Sequence, residues 1–426
     1  MLPSILAHEL SESTRRFLIT AFEPADAYFG GIVRRFVDTP GAIGKGPYLQ
    51  LGLPFRAGTG ARAFFPRFET EHPGFSHQEH AWRRLRSDAA PSNTLVVTGT
   101  GSGKTECFLY PVLDHCARQK EQGAARGIKA LVIYPMNALA NDQARRFAEV
   151  VARTPAFAGL RVGMYIGGGG QGSAVMTPTT VITDRDTLRK APPDVLLTNY
   201  KMLDYLLVRP KDRSLWAHNA PDTLRYVVVD ELHTFDGAQG TDLALLLRRL
   251  RARLGTPPEH VVCVGTSATL GDGDTAPLRT YAGQVFASAF EVESVVAEDR
   301  DSVAQFLGEA PINHLLQSRD DFAEILDAQR YRSQAEAIAA WFPVFFAGEA
   351  VPTDVSDPAW RCALGRLLKQ HLLVHNLLRV LKGGIGEWSV LCEQLTGPMP
   401  AAARPHAPRV LDALVALLAW ARDVKD

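Results

Sequence analysis

Residues 98–106 read T-G-T-G-S-G-K-T-E and follow directly on the apolar run Leu95, Val96, Val97. They fit the spacing G-x-x-x-x-G-K-[ST] at Gly103, Lys104 and Thr105, with Thr98 where the pattern has its first glycine and Gly99 one residue further on. In such a loop the backbone of Thr100, Gly101, Ser102 and Gly103 can close around phosphate oxygens, and Lys104 can neutralise charge on the outer phosphates. Thr105 offers a hydroxyl to Mg²⁺, and the helix expected from Glu106 onward points its positive dipole end at the anion. A glycine-rich turn with a chance lysine is the alternative. The position of the match between an apolar run and a helical pattern argues against it, so the chain is expected to bind a nucleoside triphosphate.

At 426 residues the chain has room for about two or three domains. It is 46% hydrophobic and 22% charged, as globular proteins are, and no apolar run is long enough to span a bilayer. No basic segment followed by an apolar one marks a secretory leader near Met1, so a membrane or secreted setting is not expected. Net charge is zero, so any nucleic-acid surface must come from local placement of charge. Cys107, Cys116, Cys263, Cys362 and Cys392 form no C-x-x-C pair. That argues against a zinc ribbon or a disulfide framework and for a reducing, cytoplasmic setting. His72, His77 and His80 crowd together without cysteine partners, which suits a surface or packing role better than a metal.

From about residue 90 to 290 short continuous apolar runs alternate with helical patterns. Runs at 95–97, 131–134, 195–197, 226–229 and 261–264 predict strands buried on both faces of a parallel sheet. Patterns at 106–119, 139–151 and 241–254 predict the helices between them. Before this block lie an amphipathic stretch at 9–21 and an irregular segment rich in Gly, Pro, Arg and Phe. After it, helical periodicity returns at 322–346, 363–381 and 410–424, broken at Gly383, Gly384 and Gly386. The expected organisation is an N-terminal extension (1–70), an α/β domain (71–290) and a mainly helical module (291–426). That module reads as a helical bundle, with partner docking or nucleic-acid contact as the alternative.

Residues 227–233 read V-V-V-D-E-L-H. Asp230, at the end of a buried strand, can hold Mg²⁺ through water, and Glu231 can orient and deprotonate an attacking water. The pair follows the glycine-rich loop by about 125 residues within one α/β run, which argues against a chance acidic turn. Residues 265–270 read G-T-S-A-T-L, where Ser267 and Thr269 could relay the state of the phosphates by hydrogen bonds. Water as acceptor makes the reaction hydrolysis; a metabolic kinase fits badly, because no acceptor-substrate site is visible.

The ordered segments G-T-G-S-G-K-T, Y-P-M-N-A-L-A-N-D-Q, I-G-G-G-G, T-N-Y, D-E-L-H and G-T-S-A-T resemble the first motor domain of superfamily 2 DEAD/DEAH-box helicases. The resemblance covers about residues 70–290 and implies a RecA-like fold. D-E-L-H-T-F-D-G-A-Q-G-T-D-L-A and G-P-Y-L-Q-L-G-L-P-F further resemble large bacterial helicases of DNA repair or anti-phage defence. It implies that Pro135, Asn137 and Gln143 line a nucleic-acid path, and that Gly168 and Gly169 (within 167–170) let backbone approach a phosphodiester. Thr198 and Asn199 would hold the next phosphate, and Gln78 would read adenine. His233 and Gln239 would couple the nucleotide site to nucleic acid. Ordinary alternatives stand beside these roles: helix caps at Asn137 and Thr198, a flexible glycine loop, an exposed helix-start glutamine at Gln78.

The implied function is an ATP-dependent helicase or translocase using ATP and Mg²⁺, on DNA in preference to RNA. One part of the pattern is absent. No Q-x-x-x-R-x-x-R-like motif follows Thr269, and an arginine supplied in trans contributes about 10³- to 10⁵-fold in rate. A second RecA-like domain, in a longer chain or a partner subunit, is therefore expected, and this chain alone should hydrolyse ATP weakly. A nucleotide-gated nucleic-acid-binding or scaffold subunit of a defence or repair complex is the alternative.

Overall fold

The apolar runs become neighbouring strands because β-branched residues fill a sheet that is covered on both faces. The computed structural model describes residues 2–39, 41–70, 72–123, 126–168, 172–268 and 274–422. Among the described residues the strands are β1 (Tyr48–Gln50), β2 (Thr94–Val97), β3 (Ala130–Tyr134), β4 (Val162–Tyr165), β5 (Val195–Asn199), β6 (Tyr226–Val229), β7 (Val262–Ser267), β8 (Val295–Ala297) and β9 (Ile385–Glu387). Strands β2 to β8 form one parallel sheet in the order β4-β5-β3-β6-β7-β2-β8.

Side-chain parity divides this sheet between two cores. Ala130, Val132, Tyr134, Val195, Leu197, Tyr226 and Val228 pack with Phe108, Leu109 and Leu113 of helix Lys104–Glu121 and Phe147 of helix Asn137–Arg153. Leu131, Ile133, Leu196, Val227 and Val229 pack on the other side, with Leu203 and Leu206 of helix Tyr200–Val208, Leu243 and Leu247 of helix Gly237–Leu254, and Val285 and Phe286 of helix Ala276–Phe286. A parallel sheet covered by helices on both faces, with the glycine-rich loop leaving β2, is a RecA-like fold. Val97 stands opposite Ser267 and Val229 opposite Gly265. That register brings the ends of β2, β6 and β7 to one edge.

The sheet is larger than the five apolar runs indicated. β4 escaped because its run, V-G-M-Y, is short and interrupted by Gly163, and β8 because it lies beyond the expected limit near residue 290. The chain divides into two compact units, with boundaries at Pro54/Phe55 and Arg300/Asp301. One is Phe55–Arg300. The other joins the chain before Phe55 to the chain after Arg300, and its β1 pairs antiparallel with β9, Tyr48 opposite Glu387. Its core gathers Trp341, Phe342, Phe345, Leu364, Leu377 and Leu414.

Two of the expected helices in that second unit are broken. The 322–346 pattern divides into Phe322–Ile325 and Gln334–Phe345, the latter capped by Ser333, whose side chain accepts from the Glu336 N–H. The 363–381 pattern divides into Pro358–Lys369 and Leu372–Leu381, with His371 capping the second. Among the described residues no helix is long and apolar enough to cross a membrane.

Candidate functional site

The loop after β2 takes its shape from two left-handed glycines. Gly101 and Gly103 have φ of +79° and +74°, and a Cβ on Gly103 would come within 2.2 Å of Gln78 Nε2. Ser102 Oγ lies 2.7 Å from Thr98 Oγ1 and 2.8 Å from the Gly99 carbonyl, closing the loop on itself. Helix Lys104–Glu121 then starts with no side-chain cap, so its first N–H groups stay available to an anion. Thr100 belongs to the same loop, Thr105 to the first turn of the helix, and the buried Glu106 carboxylate is ion-paired with Arg146.

The acidic pair meets this loop. Lys104 Nζ donates to Glu231 Oε1 at 3.0 Å. Asp230 leaves the end of β6, where its N–H donates to the Ile133 carbonyl at 2.9 Å, and its carboxylate accepts from the Thr266 hydroxyl. Burial pushes the Asp230 pKa up, opposed by that hydrogen bond. Glu231 occupies the left-handed region at φ +48°, which turns its side chain toward Lys104. Its second oxygen, Oε2, is buried without a hydrogen-bond partner, 3.5 Å from His233 Nδ1. His233 Nδ1 also lies 3.2 Å from Ser267 Oγ, so Glu231, His233 and Ser267 form one polar chain. Gln239 stands exposed in helix Gly237–Leu254, while Phe235 is buried with its ring edge-on to Tyr200 at 5.6 Å. Thr269 lies outside the described residues.

Gln78 sits at the start of helix Ser76–Leu85. Its Oε1 accepts from the Phe75 N–H at 2.9 Å and its Nε2 donates to the Gly103 carbonyl at 3.0 Å. One lone pair and one N–H remain for a ligand. They border a cavity of about 270 Å³ lined by Phe75, Gln78, Gly101, Gly103, Glu106 and Arg146 among others.

A second group of residues gathers at the ends of β3, β4 and β5. Asn137 Nδ2 donates to the Gly167 carbonyl at 3.1 Å, and Asn199 Nδ2 donates to Asn137 Oδ1 at 2.7 Å. Thr198 Oγ1 donates to the Tyr165 carbonyl at 2.6 Å. Asn199, rather than Asn137 or Thr198, is the helix cap here: its Oδ1 accepts from the Met202 N–H at 2.7 Å. Pro135 directly follows β3, and Gln143 lies in helix Asn137–Arg153 with its Oε1 buried and unpartnered. Gly168 has φ +126°, a conformation open to glycine, whereas Gly169 and Gly170 lie outside the described residues.

Three residues that the motifs did not single out contact this machinery. Thr266 bridges the acidic pair: besides its bond to Asp230, its oxygen accepts from the Glu231 N–H at 3.0 Å. It stands next to Ser267 in G-T-S-A-T, so the signal was present but the choice of hydroxyl was not. His77 is fully buried against the loop, and Glu298 reaches it from the far end of the unit. Among the described residues no group of His, Cys, Asp or Glu could hold a metal ion by itself, and the five cysteines form no disulfide with one another.

Residues 75–276 match the family described as DEAD/DEAH box helicase. The chain is 24% identical to Druantia protein DruE of Escherichia coli (strain UMEA 4076-1), an alignment covering 83% of this chain and 24% of that protein. It is 32% identical to ATP-dependent helicase Lhr-Core of Methanothermobacter thermautotrophicus over 42% of this chain and 19% of that protein. A crystal structure of the DUF1998 helicase MrfA bound to DNA and AMPPNP aligns with a TM-score of 0.43 at 20% identity, covering 70% of this chain and 40% of that one. The chain thus spans a quarter or less of the length of these two curated relatives.

Proposed function

We propose that this chain, which carries a DEAD/DEAH-box helicase domain across residues 75–276, supplies the first motor domain of an ATP-dependent helicase or translocase. It binds ATP at the glycine-rich loop, hydrolyses it, and grips a nucleic-acid backbone along the ends of β3, β4 and β5. The observation that carries this reading is the 3.0 Å approach of Lys104 to Glu231, with Asp230 beside it on the same sheet edge. Residues from distant parts of the chain meet there as a cation, a base and a metal-binding carboxylate.

Each side chain has a defined task. The loop N–H groups and Lys104 hold the phosphates, and Gln78 orients the base through its free lone pair and N–H. Glu231 accepts the proton of the attacking water, with its buried Oε2 placed to take it. The oxygen donors of Thr105 and Asp230 fit Mg²⁺, and burial of Asp230 leaves a carboxylate that a cation would stabilise. When bound, Mg²⁺ neutralises phosphate charge that develops during hydrolysis. His233 and Ser267 carry the change at Glu231 away from the nucleotide. Asn137, Gly167, Gly168 and Asn199 contact phosphodiesters, DNA in preference to RNA, following the resemblance of D-E-L-H-T-F-D-G-A-Q-G to large bacterial helicases, while the fully buried Thr198 braces them from behind through the Tyr165 carbonyl. A second RecA-like domain, in the same polypeptide or a partner, supplies the missing arginine.

A second reading is favoured by one observation: the described residues after Arg300 are mainly helical and add only the short β9 to β1. In that reading nucleotide gates nucleic-acid binding or assembly without strand separation. ATP turnover by the chain with and without single-stranded DNA tests both. DNA-stimulated turnover that Lys104→Ala abolishes supports the motor. DNA binding that responds to ATP without stimulated turnover supports the gate, and absence of ATP binding would overturn both.

A further inference from the structure

The glycine-rich loop is held from two flanks, and the flanks are joined to each other. On one flank the Gly99 N–H donates to Glu298 Oε2 at 2.9 Å. Glu298 follows β8, whose Ala297 stands opposite Val97 at the end of β2. On the other flank His77 Nε2 lies 2.8 Å from the Ser102 carbonyl. A carbonyl only accepts, so His77 carries a proton on Nε2. The link runs outside the loop. Arg300 Nε donates to Glu298 Oε1 at 2.8 Å, and its guanidinium lies 4.0 Å from the centre of the Phe55 ring. The Phe55 and His77 rings are 5.4 Å apart, and Phe75 stacks on His77 at 5.7 Å with 17° between planes. Gly99, Glu298, Arg300, Phe55, His77 and Ser102 therefore form a closed circuit.

A carboxylate beside a loop that binds phosphate is electrostatically unfavourable unless it is neutralised and has a task. Arg300 neutralises it, and a charged acceptor makes the stronger kind of bond to a backbone N–H. We propose that Glu298, oriented by Arg300, is a positioning residue for nucleotide binding. It anchors the first glycine of the loop, so the N–H donors that follow face the phosphates before a ligand arrives and less ordering is left for the binding step. The inference rests on the reading of this loop as the ATP site.

The test is calorimetric titration of the full chain with MgATP. Glu298→Ala is expected to raise Kd about tenfold, with the melting temperature of the ligand-free protein within about 3 °C of the original. Glu298→Gln keeps an acceptor for the Gly99 N–H and should stay within about threefold. Arg300→Ala leaves the carboxylate unoriented and should raise Kd about threefold. A native Kd for Glu298→Ala, tighter binding by it, or a Glu298→Gln as weak as Glu298→Ala would overturn the proposal. Should Glu298→Ala not fold, a native Kd for Arg300→Ala overturns it instead. Lys104→Ala separates the two readings. If it binds ATP like the original chain, the assignment of the loop fails. If it does not bind while Glu298→Ala binds normally, only the clamp fails.

Discussion

Lys104 Nζ lies 3.0 Å from Glu231 Oε1, so the ammonium that would meet the outer phosphates is held by the carboxylate that would activate water. The two side chains are 16% and 24% exposed, which leaves the pair only partly screened. Nucleotide has to take Lys104 away from Glu231. Glu231→Gln should therefore bind ATP about threefold more tightly while hydrolysis falls about 100-fold or more. Titration with ATP and a phosphate-release assay of the complete enzyme read the two effects. Unchanged turnover would remove Glu231 as the base.

Thr266 satisfies two groups at once, the Asp230 carboxylate and the Glu231 N–H. Thr266→Val keeps the shape and strands both, at a cost of about 1–3 kcal/mol. The melting midpoint should fall by about 4 °C or more, and ATP turnover should fall with it. Thr266→Ser should recover most of both. Thermal melts and turnover of the two variants, side by side, decide the matter.

Asn137 spans Gly167 and Asn199, whereas Asn199 also caps helix Tyr200–Val208. Substituting Asn199 would mix two effects, since a lost cap costs about 1 kcal/mol. Asn137→Ala is the cleaner variant. Its affinity for single-stranded DNA should fall about tenfold with Kd for ATP unchanged. Fluorescence anisotropy with a labelled oligonucleotide measures it, and a native DNA affinity would take Asn137 out of the interface.

Burial drives the pKa of His371 down to about 4, with His314 and His375 adding repulsion, so it is neutral in the folded chain. Its unfolded pKa is about 6.5. Above that pH neither state is protonated and the group contributes nothing. As pH falls below it the unfolded chain takes up the proton first, so stability declines until about pH 4, by roughly 3 kcal/mol in total. Denaturant melts between pH 7 and 4 should show this loss, and His371→Asn should flatten it. An identical pH profile in the variant would contradict the assignment.

Most of the candidate nucleotide site is legible in the sequence, because its parts are local. A strand, a glycine-rich loop and a helix follow one another within residues 94–121, and that local order is the one an anion site needs. Asp230 and Glu231 were legible as a strand-end pair. Which hydroxyl of G-T-S-A-T would meet them was not, since that depends on the parity of β7 and its register with β6, Val229 against Gly265. The same holds for His77, whose neighbours in sequence say nothing of the Ser102 carbonyl.

Chain-local pattern thus determined that there is a parallel sheet, a glycine-rich turn leading into a helix and a strand-end acidic pair, because spacing along the backbone encodes φ, ψ and the facing of successive side chains. Pairing across long separations decided the rest. β1 joined β9, β8 extended the sheet past residue 290, and Glu298 came to rest on Gly99. The contacts of β8 and Glu298 arise only when both faces of the seven-stranded sheet are covered in one register, and that of β1 with β9 only when segments more than 300 residues apart pair. No window of neighbouring residues contains either condition.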